Sequence, residues 1–490
     1  MSDADPTPDP DTAAPPAAGA AGRERGDAPA IDLSEPRSVH VVGVGGAGMS
    51  AIATVLAAMG HRVSGSDLRA SPGVDRLRAA GVAVAVGHDA AHVPGGLDAL
   101  TRSTAVGDDN PEVQAARAAG VDVLSRADVL AAICAARRTI AVAGTHGKTT
   151  TSSMLALALR AAGLAPSFII GGDVNELGTG AVWDRGDWFV VEADESDGTF
   201  LELPRAAAIV TNVEPDHLEH YGGWPQLQAA FEQFAGDTPG PVLCCADDDG
   251  AVALAASTPG SLTYGEHDAS DYRMAGLDRH RGGVGFDLVR GGAVLARVEL
   301  PVPGLHNARN AAGALALAVE IGADPLAAAG ALSRFGGVAR RFEPRGEVRG
   351  VTLVDDYAHL PTEVAAALTA ARDGDWRRVV AVFQPHRYSR TASLWQDFAD
   401  AFVDADLLVV TDVYAAGEEP RPGISGKLVV DAVLDAHPRT RVAWLPHRAD
   451  LLAFLPRELQ AGDLCLTLGA GDLTTLPDEL AARLATSPGS

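Results

Sequence analysis

The chain has 490 residues, of which 47% are hydrophobic and 21% are charged. Because a single hydrophobic core stops growing at about 250–300 residues, this length predicts two to four domains. The formal net charge of −25 argues against a partner that needs a basic protein surface, such as a nucleic acid or an anionic membrane.

The cysteine content and the hydropathy pattern indicate a cytoplasmic protein. Cys134, Cys244, Cys245 and Cys465 have no Cys-x-x-Cys spacing, so we expect reduced thiols. No stretch reaches the ~18 apolar residues of a membrane-spanning helix. The first residues have no basic start and no apolar segment, so we expect no signal peptide.

The predicted elements, taken in chain order, indicate three α/β domains in series. Residues 1–36 are rich in Pro, Ala and Asp and lack apolar periodicity, so we expect a disordered tail. A first, Rossmann-like domain is predicted over 37–138, a central α/β domain over 139–342 and a second Rossmann-like domain over 343–490. The strands predicted in these domains lie at 38–42, 61–65, 82–86, 138–143, 188–192, 207–211, 350–356, 379–383, 407–411 and 464–468. The predicted helices include 49–59, 74–80 and 307–321.

A glycine-rich motif, residues 43–48, follows the first predicted strand and begins a helix. Glycines at such a turn let backbone N–H groups approach a diphosphate at the positive end of the helix. Asp67 lies nineteen residues beyond Gly48, where an acid that binds a ribose is expected. The motif alone does not identify the ligand, and a glycine turn required only for packing is the alternative.

A second glycine-rich motif, residues 144–150, lies between a predicted strand and a predicted helix. Its Gly-Lys-Thr core is typical of a loop that binds the phosphates of a nucleotide with Mg²⁺, although Val142 replaces the usual first glycine. Lys148 is one of only two lysines in the chain, the other being Lys427. This scarcity argues against a chance surface lysine at position 148.

Further polar residues follow other predicted strands. The acidic run 192–197 and the loop 212–220 suit a hard Mg²⁺ ion, but a solvated acidic turn and a histidine that only binds a carboxylate are the alternatives. Asn307 and Asn310 share one face of a helix, where they can read an adenine or cap the helix. In the third domain, Arg387 and Arg390 follow a strand and offer planar donors for a carboxylate or a phosphate.

Taken together, these motifs resemble those of the Mur ligases of peptidoglycan synthesis. The resemblance covers about residues 38–475 and depends on Gly-Thr-His-Gly-Lys-Thr-Thr, Glu-Ala-Asp-Glu-Ser-Asp, His-Asn-Ala-Arg-Asn, Arg-Arg-Phe-Glu and Asp-Asp-Tyr-Ala-His-x-Pro-Thr-Glu. It implies an ATP- and Mg²⁺-dependent ligase that joins L-alanine to the lactyl carboxylate of UDP-N-acetylmuramate through an acyl phosphate. It also implies a monomer or a weak homodimer without a nucleic-acid or membrane partner.

The resemblance assigns a role to each matching residue. Those implied to bind the UDP-sugar are Gly45, Gly46, Ala47, Gly48, Met49, Ser50, Asp67, Ser103 and Thr104. Those implied to bind ATP are Gly144, Thr145, His146, Gly147, Lys148, Thr149, Thr150, His306, Asn307, Asn310, Arg341 and Asp356. The implied metal ligands are Thr149, Glu192 and His217, and the residues implied to bind the amino acid are Tyr357, His386, Arg387 and Arg390. The implied catalytic residues are Lys148, Glu192, His217, Arg341, His359, Arg387 and Arg390.

The sequence also departs from the family pattern. Leu360 stands where a second histidine usually follows His359, and no lysine between Thr149 and Gly426 can serve as the modified lysine of some relatives. Three alternatives remain open. They are a nicotinamide dehydrogenase, a non-catalytic ATP-binding module, and a sister ligase that adds a peptide or another amino acid to a UDP-muramyl substrate.

Overall fold

The computed structural model describes residues 30–486 of the chain. Most of the tail predicted over 1–36 lies outside these residues. Within its last part, the side chains of Ile31 and Leu33 are buried against the core of the first two domains.

The first domain contains a five-stranded parallel sheet. Its strands are β1 (Ser38–Val42), β2 (Arg62–Asp67), β3 (Ala83–Val86), β4 (Ala99–Arg102) and β5 (Asp122–Leu124), in the order β3-β2-β1-β4-β5. Its helices are α1 (Ala47–Ala58), α2 (Pro72–Ala79), α3 (Pro111–Ala118) and α4 (Arg126–Ala135). The strand order reverses between β1 and β4, and ligands of such sheets bind at the carboxyl ends of the strands at this point.

The middle domain is built on a ten-stranded sheet. Its strands are β6 (Arg138–Ala143), β7 (Ser167–Val174), β8 (Thr179–Val182), β9 (Trp188–Glu192), β10 (Ala207–Val210), β11 (Val242–Cys245), β12 (Leu262–Gly265), β13 (Tyr272–His280), β14 (Gly283–Arg290) and β15 (Ala293–Leu300). Their order is β15-β14-β13-β12-β11-β10-β6-β9-β7-β8. The central strands pair in parallel, whereas β13, β14 and β15 form an antiparallel meander at one edge and β8 pairs antiparallel to β7 at the other.

Two helices of the middle domain support the phosphate loop. The helices of this domain are α5 (Lys148–Ala161), α6 (Leu218–Tyr221), α7 (Trp224–Gly236), α8 (Asp249–Ser257), α9 (Leu305–Glu320) and α10 (Pro325–Leu332). Short 3₁₀ turns lie at Glu195–Asp197 and Thr199–Glu202. Helices α5 and α9 pack closely on each other, and most residues of both helices are buried.

The third domain has a six-stranded sheet with one antiparallel edge strand. Its strands are β16 (Glu343–Val348), β17 (Val351–Asp356), β18 (Arg378–Phe383), β19 (Leu407–Val410), β20 (Val442–Trp444) and β21 (Asp463–Leu468), in the order β16-β17-β21-β18-β19-β20. Its helices are α11 (Pro361–Arg372), α12 (Tyr388–Leu394), α13 (Lys427–Ala436), α14 (Arg448–Glu458) and α15 (Leu476–Thr486). The three-domain α/β architecture predicted from the sequence is therefore confirmed.

The three domains are joined in different ways. Helix α1 packs on β7 and β8, and a single apolar core runs through the first and middle domains. The third domain instead has two apolar cores of its own. Its contacts with the meander of the middle domain include the Arg281 guanidinium 3.7 Å from the Trp376 ring and an ion pair of 3.7 Å between Arg279 and Asp373. Polar interfaces of this kind are typical of domains that move relative to each other.

No helix among residues 30–486 combines the length and the apolar character needed to cross a bilayer. All four cysteines are free and buried, and burial raises the pKa of the Cys134 thiol to about 12. The expectation of reduced thiols is consistent with this arrangement.

We expect the core around α5 to be sensitive to truncation. Leu155 is fully buried in this helix, so Leu155→Ala should lower the free energy of unfolding by about 2–5 kcal/mol through lost burial and a cavity. Leu326 on α10 is 68% exposed and serves as the control, for which Leu326→Ala should cost less than about 0.5 kcal/mol. Urea denaturation followed by circular dichroism measures both. Equal effects of the two substitutions would contradict this account of the core.

Candidate functional site

The glycine loop, residues 43–48, connects β1 to α1 and is shaped by the end of β2. The carbonyl of Ser66 accepts hydrogen bonds from Gly43 N (2.8 Å) and Val44 N (3.0 Å). Asp67 Oδ2 accepts a third from Gly45 N at 2.8 Å. A Cβ atom at Gly45 would lie 2.8 Å from the same carboxylate oxygen, so the close approach requires glycine. One oxygen of Asp67 thus holds the loop itself.

The other residues predicted to bind the UDP-sugar lie at the same edge of the first sheet. Ser103 follows β4 and donates its backbone N–H to Val42 O, which places it beside the glycine loop. Thr104 is exposed next to it. The side chain of Met49 is buried in the core, so only its backbone can face a ligand. Ser50 Oγ donates to Ala47 O within the first turn of α1.

The phosphate loop, residues 144–149, connects β6 to α5 with two glycines of positive φ. Gly144 has φ 128° and Gly147 has φ 80°. A Cβ atom at Gly144 would lie 2.1 Å from Thr211 Oγ1, and one at Gly147 would lie 2.7 Å from Asn310 Oδ1. Both positions therefore require glycine for the backbone angle and for the space. The loop lies against residues from β10 and α9, which fixes its curvature.

Lys148 is held in the phosphate loop by a buried carboxylate. Its Nζ lies 2.7 Å from Gly144 O and 2.7 Å from Glu195 Oε2. Burial by itself would lower the pKa of Lys148, but the carboxylates of Glu195 and Asp194 outweigh it and raise this pKa above its ordinary value. The side chain is thus a fixed positive charge at the amino end of α5.

Thr149 and Glu192 form the part of the site whose donors suit a metal ion. Thr149 Oγ1 donates to Glu192 Oε2 at 3.1 Å, and Gly171 N donates to Glu192 Oε1 at 2.7 Å. His217 lies on the neighbouring loop with φ 53°, and its Nε2 is 3.4 Å from Asp216 Oδ2. Among residues 30–486, no group of three His, Cys, Asp or Glu side chains forms a ready metal site.

A first cavity of about 260 Å³ lies between the middle and third domains. Eight residues predicted to bind ATP line it, namely His146, Gly147, Thr150, His306, Asn307, Asn310, Arg341 and Asp356. Burial and the nearby Arg341 lower the pKa of His306 to about 4, so this imidazole is neutral at neutral pH. Asn307 Nδ2 donates to Pro303 O at 2.7 Å, whereas the N-cap position of α9 is Gly304 and has no side-chain hydrogen bond, so neither asparagine caps this helix.

Asp356 lines the same cavity, and both of its carboxylate oxygens accept hydrogen bonds from backbone N–H groups. Oδ2 accepts from Phe342 N and Oδ1 from Ala358 N, each at 2.7 Å. Burial raises the pKa of Asp356 to about 6. The residue therefore fixes the connection between the middle and third domains at the edge of the cavity.

A second, smaller cavity of about 120 Å³ adjoins the first and joins the two halves of the predicted site. From the middle domain it is lined by Thr145, His146, Gly147, Lys148, Thr149 and His217, all predicted, and by Glu195 and Asp216. The other residues that line it come later in the chain than the helices of the middle domain, and they are Arg341, His359, Leu360, Glu363 and Arg390. Thus the phosphate loop faces the third domain across a space of a few atoms.

The residues predicted to bind the amino acid lie near this second cavity in a cluster of rings. The His386 ring stacks on Tyr414, with centroids 5.8 Å apart, and meets the His359 ring edge-on at 5.5 Å. Its Nδ1 is 3.2 Å from Arg390 Nη1. Burial, His359 and the neighbouring arginines lower the pKa of His386 to about 4. Tyr357 packs against His359, with ring centroids 5.3 Å apart.

Arg387 stands apart from this cluster. Its backbone has φ 66° and donates to Tyr414 O, whereas its side chain is exposed and lines neither cavity.

Sequence reasoning did not assign a role to Glu363, which links the two domains across the site. Its Oε1 is 3.3 Å from His146 Nδ1 and 3.6 Å from Arg341 Nη1, and its Oε2 is 3.2 Å from His359 Nδ1. Burial by itself would raise the pKa of Glu363, but His359 and His146 outweigh it and hold this pKa well below its ordinary value. The sequence signal was Pro361 followed by a glutamate in the first turn of a helix, which is the usual pattern of a residue that caps a helix start.

The loop 212–220 was singled out from the sequence, but Asn212 and Glu214 were given no separate role, and other residues of the site were missed. Asn212 fixes the phosphate loop by accepting from His146 N and donating to His146 O. Glu214 lies 3.4 Å from His146 Nε2. Tyr264, Asp247 and Asp248 line the far end of the first cavity, and the motif pattern gave no signal for Tyr264.

The histidine of the phosphate loop gives this domain contact a pH dependence. Burial disfavours the imidazolium, but Glu214 and Glu363 outweigh it and raise the pKa of His146 to about 9. A raised pKa stabilises the fold below the ordinary histidine pKa of ~6.5, and the contribution is lost as pH rises through about 9. We therefore expect His146→Gln to remove up to about 3 kcal/mol at pH 6.5 and little at pH 9.5.

Melting temperatures of wild type and His146→Gln between pH 6 and pH 10 measure this effect. The control is His437→Gln, which removes the exposed contact with Asp400 on the third domain. If the curves for wild type and His146→Gln run parallel over the whole range, the assigned interaction of His146 is wrong.

Models of the Mur ligase family match almost the whole described chain. The model for the Mur ligase catalytic domain matches residues 38–138, that for the Mur ligase middle domain matches 142–318, and that for the Mur ligase glutamate ligase domain matches 340–471.

Individual relatives agree with these matches. The chain is 50% identical over 456 residues to the UDP-N-acetylmuramate–L-alanine ligase of Kineococcus radiotolerans, covering 91% of this chain and 96% of that protein. It is 46% identical to the ligase of the same name from Rubrobacter xylanophilus, covering 91% and 100%. The crystal structure of a UDP-N-acetylmuramate-alanine ligase from Thermotoga maritima superposes with a TM-score of 0.76 at 29% identity, covering 92% and 100%. The chain described here therefore belongs to the Mur ligase family.

Proposed function

We propose that this protein is an ATP-dependent ligase that joins L-alanine to the lactyl carboxylate of UDP-N-acetylmuramate in peptidoglycan precursor synthesis. The names of the relatives at 45–50% identity support this activity. The observation that carries the proposal is the second cavity, because it brings the phosphate loop of one domain against the histidine and arginine cluster of another. An enzyme that transfers a phosphoryl group to a carboxylate and then an amine to the product needs both sets of groups at one point.

The first step places the γ-phosphoryl group of ATP in the second cavity. Lys148 and Arg341 both line this cavity and supply positive charge to the phosphate oxygens. The lactyl carboxylate attacks phosphorus and ADP leaves, which gives an acyl phosphate. Because the transition state of phosphoryl transfer is loose, positioning and charge neutralisation account for most of the rate enhancement.

The base and sugar of ATP fit the adjoining first cavity. His306, Asn307 and Asn310 line one wall, where the neutral imidazole and the amides can contact an adenine. Asp356 lies at the opposite edge, at the connection to the third domain. We assign the ribose contact to this residue. Both of its oxygens also accept hydrogen bonds from backbone amides of the segment that joins the two domains. A ribose bound to Asp356 would therefore be connected to this segment through a single side chain.

The donors present fit one Mg²⁺ ion between the phosphate loop and β9. Thr149 and Glu192 offer a hydroxyl and a carboxylate oxygen 3.1 Å apart, and Mg²⁺ prefers such hard oxygen ligands together with phosphate oxygens. His217 is the third ligand we assign, on the opposite loop. When bound, Mg²⁺ supplies positive charge to the transferred phosphoryl group.

The second step joins the amine of L-alanine to the acyl phosphate. We assign the carboxylate of L-alanine to Arg390, with His386 and Tyr357 completing its surroundings, whereas the exposed Arg387 lies outside this group. His359 Nδ1 is 3.0 Å from Tyr357 O, which makes Nδ1 the donor and leaves Nε2 as an acceptor. This Nε2 atom can take the proton of the attacking amine, and phosphate then leaves. Holding amine and acyl phosphate together can supply up to roughly 7–11 kcal/mol of the barrier.

The UDP-sugar fits the glycine loop of the first domain. The N–H groups of the first turn of α1, at Ala47, Gly48 and Met49, have no intrahelical partner, and such a helix start favours a diphosphate. The sheet order places this loop where ligands of parallel sheets bind. Helix α1 packs on β7 and β8, so the domain proposed to hold the UDP-sugar is joined directly to the domain that carries the phosphate loop.

The cellular location and the oligomeric state of the protein are also proposals. ATP and nucleotide sugars are cytoplasmic substrates, and the free buried cysteines are compatible with a reducing compartment. We accordingly propose a cytoplasmic enzyme that acts as a monomer or weak homodimer, for which size-exclusion chromatography with light scattering is the measurement.

ATP-dependent phosphate release tests the activity. Purified protein with Mg²⁺, UDP-N-acetylmuramate and L-alanine should release phosphate only when all substrates are present. Lys148→Ala should lower kcat at least about 100-fold, because it removes a charge that stabilises the transition state. Lys427→Ala removes the only other lysine, an exposed residue paired with Asp431, and should leave kcat unchanged.

The other outcomes identify the alternatives. Release with a muropeptide but not with L-alanine would indicate a sister ligase, such as the murein peptide ligase of Psychrobacter arcticus, which superposes with a TM-score of 0.65 at 25% identity, covering 93% of this chain and 100% of that one. ATP binding without any release would favour a non-catalytic module, and binding of NAD would favour a dehydrogenase.

The metal assignment predicts a changed Mg²⁺ requirement. Glu192→Gln keeps the shape of the side chain but removes its charge, so the Mg²⁺ concentration for half-maximal rate should rise at least about tenfold. Glu299→Gln, on the exposed face of β15, is the control and should leave the requirement unchanged. An unchanged Mg²⁺ dependence in Glu192→Gln would remove this residue from the metal site.

A further inference from the structure

A buried carboxylate in the first domain lies among three histidines. Glu112, in the first turn of α3, is fully buried. Its Oε2 accepts from Ser66 Oγ at 2.6 Å and lies 2.8 Å from His40 Nε2. Its Oε1 accepts from Asp89 N at 3.1 Å. The Nδ1 atoms of two further histidines approach Oε1, those of His88 at 3.3 Å and His92 at 3.4 Å.

This cluster is costly for a domain core. A carboxylate withdrawn from water loses several kcal/mol of solvation, and well-packed apolar residues at such a position are often neutral or stabilising. Burial by itself would raise the pKa of Glu112, but hydrogen bonds from His40 and Ser66 outweigh it and lower this pKa to about 2. The carboxylate is thus charged at every physiological pH.

The cluster holds the end of β2 in place. Ser66 Oγ donates to Glu112 and also lies 2.9 Å from His88 Nδ1, so both the helix and the loop after β3 fix this side chain. On the other side of the same residue, the carbonyl of Ser66 accepts from Gly43 N and Val44 N. The next residue, Asp67, accepts from Gly45 N and, through its carbonyl, from Gly87 N.

Three successive amides of the glycine loop therefore depend on two residues at the end of β2. Gly43 has φ 76°, and these hydrogen bonds, together with the buried side chain of Val44, determine the shape of the loop. A change in the position of Ser66 shifts the loop that leads into α1, and with it the first-turn N–H groups of α1 that are proposed to face a diphosphate. A displacement of about 1 Å at a binding group can lower the activity of an enzyme about 100-fold.

We infer that Glu112 is a positioning residue for the UDP-sugar, which fixes Ser66 and through it the glycine loop. This inference rests on the proposed function, which assigns the loop to the nucleotide sugar. Glu112 touches no substrate in this arrangement and is not a catalytic residue. Its effect should be confined to one of the three substrates, because the ATP cavity and the amino-acid cluster lie in the other two domains.

The first test is Glu112→Gln under steady-state conditions with each substrate varied in turn. Glutamine keeps the shape of the side chain but has an NH₂ group in place of one oxygen. It therefore cannot accept all the hydrogen bonds that the carboxylate accepts. We expect the KM for UDP-N-acetylmuramate to rise about tenfold or more, with kcat and the KM values for ATP and L-alanine within about twofold of wild type. Isothermal titration with UDP-N-acetylmuramate alone should show the same loss of affinity.

A second variant keeps the inference testable if Glu112→Gln does not fold. Ser66→Ala removes only the hydroxyl that connects Glu112 to the end of β2, and should raise the same KM in the same direction. The control is Asp463→Asn, which alters another fully buried carboxylate, paired with Arg378 at 2.6 Å in the third domain. It should lower the melting temperature without changing any KM.

The outcomes separate this inference from the proposed function. If wild type binds UDP-N-acetylmuramate and both variants of the first domain bind it equally tightly, Glu112 is only structural and the inference is overturned. A parallel rise in all three KM values would overturn it as well. If wild type itself fails to bind UDP-N-acetylmuramate, the proposed function has failed, and the inference fails with it.

Discussion

The carboxylate of Glu363 is the interaction on which the site depends. It lies in the first turn of α11 and contacts His146 of the phosphate loop, His359 of its own domain and Arg341 at the domain connection. No apolar core joins the third domain to the other two in the part of the chain that is described, so its orientation relies on polar contacts such as these. Such contacts form and break at low cost, which suits a domain that must admit substrates and then exclude water.

Two of the substrates proposed here, ATP and UDP-N-acetylmuramate, are anions and L-alanine carries a carboxylate, yet the chain has a formal charge of −25. Local groups oppose the overall field: Lys148, Arg341 and Arg390 line one small cavity, and the amino ends of α1 and α5 each follow a glycine turn. Two of the acids that line this cavity are engaged by neighbouring basic side chains. Glu195 is bound to Lys148, and Glu363 lies between two histidines. Anion recognition in this protein is therefore determined by the positive groups close to the ligand rather than by the net charge of the chain.

Local sequence predicted the parallel core of the fold well. Strands such as β1, β6 and β9 are mostly apolar and almost completely buried because both faces of their sheets are covered, and glycines follow β1 and β6 where the chain must turn tightly. The antiparallel meander of β13 to β15 was not predicted. Its alternating residues are half exposed, and its neighbours in the sheet are set by packing against α9 and α10 rather than by a local signal.

The candidate site was predictable where one motif forms one loop, as at Gly144 to Thr149. It was not predictable where residues distant in sequence meet. Glu363 and His146 are separated by 217 positions and by a domain boundary, and a glutamate in the first turn of a helix is ordinarily explained by capping alone. Tyr264 reaches the first cavity from a strand end that carries no motif.

The near absence of lysine has a chemical consequence. Outside the amino terminus, an acylating reagent meets only two amines in this chain. One of them, on Lys427, is exposed and can be replaced, whereas the other lies inside the phosphate loop against Glu195. In a chain without Lys427, an amine-directed label would therefore report on the accessibility of a single atom at the centre of the site. Its rate of modification would measure how far the third domain opens, and this measurement requires no substrate.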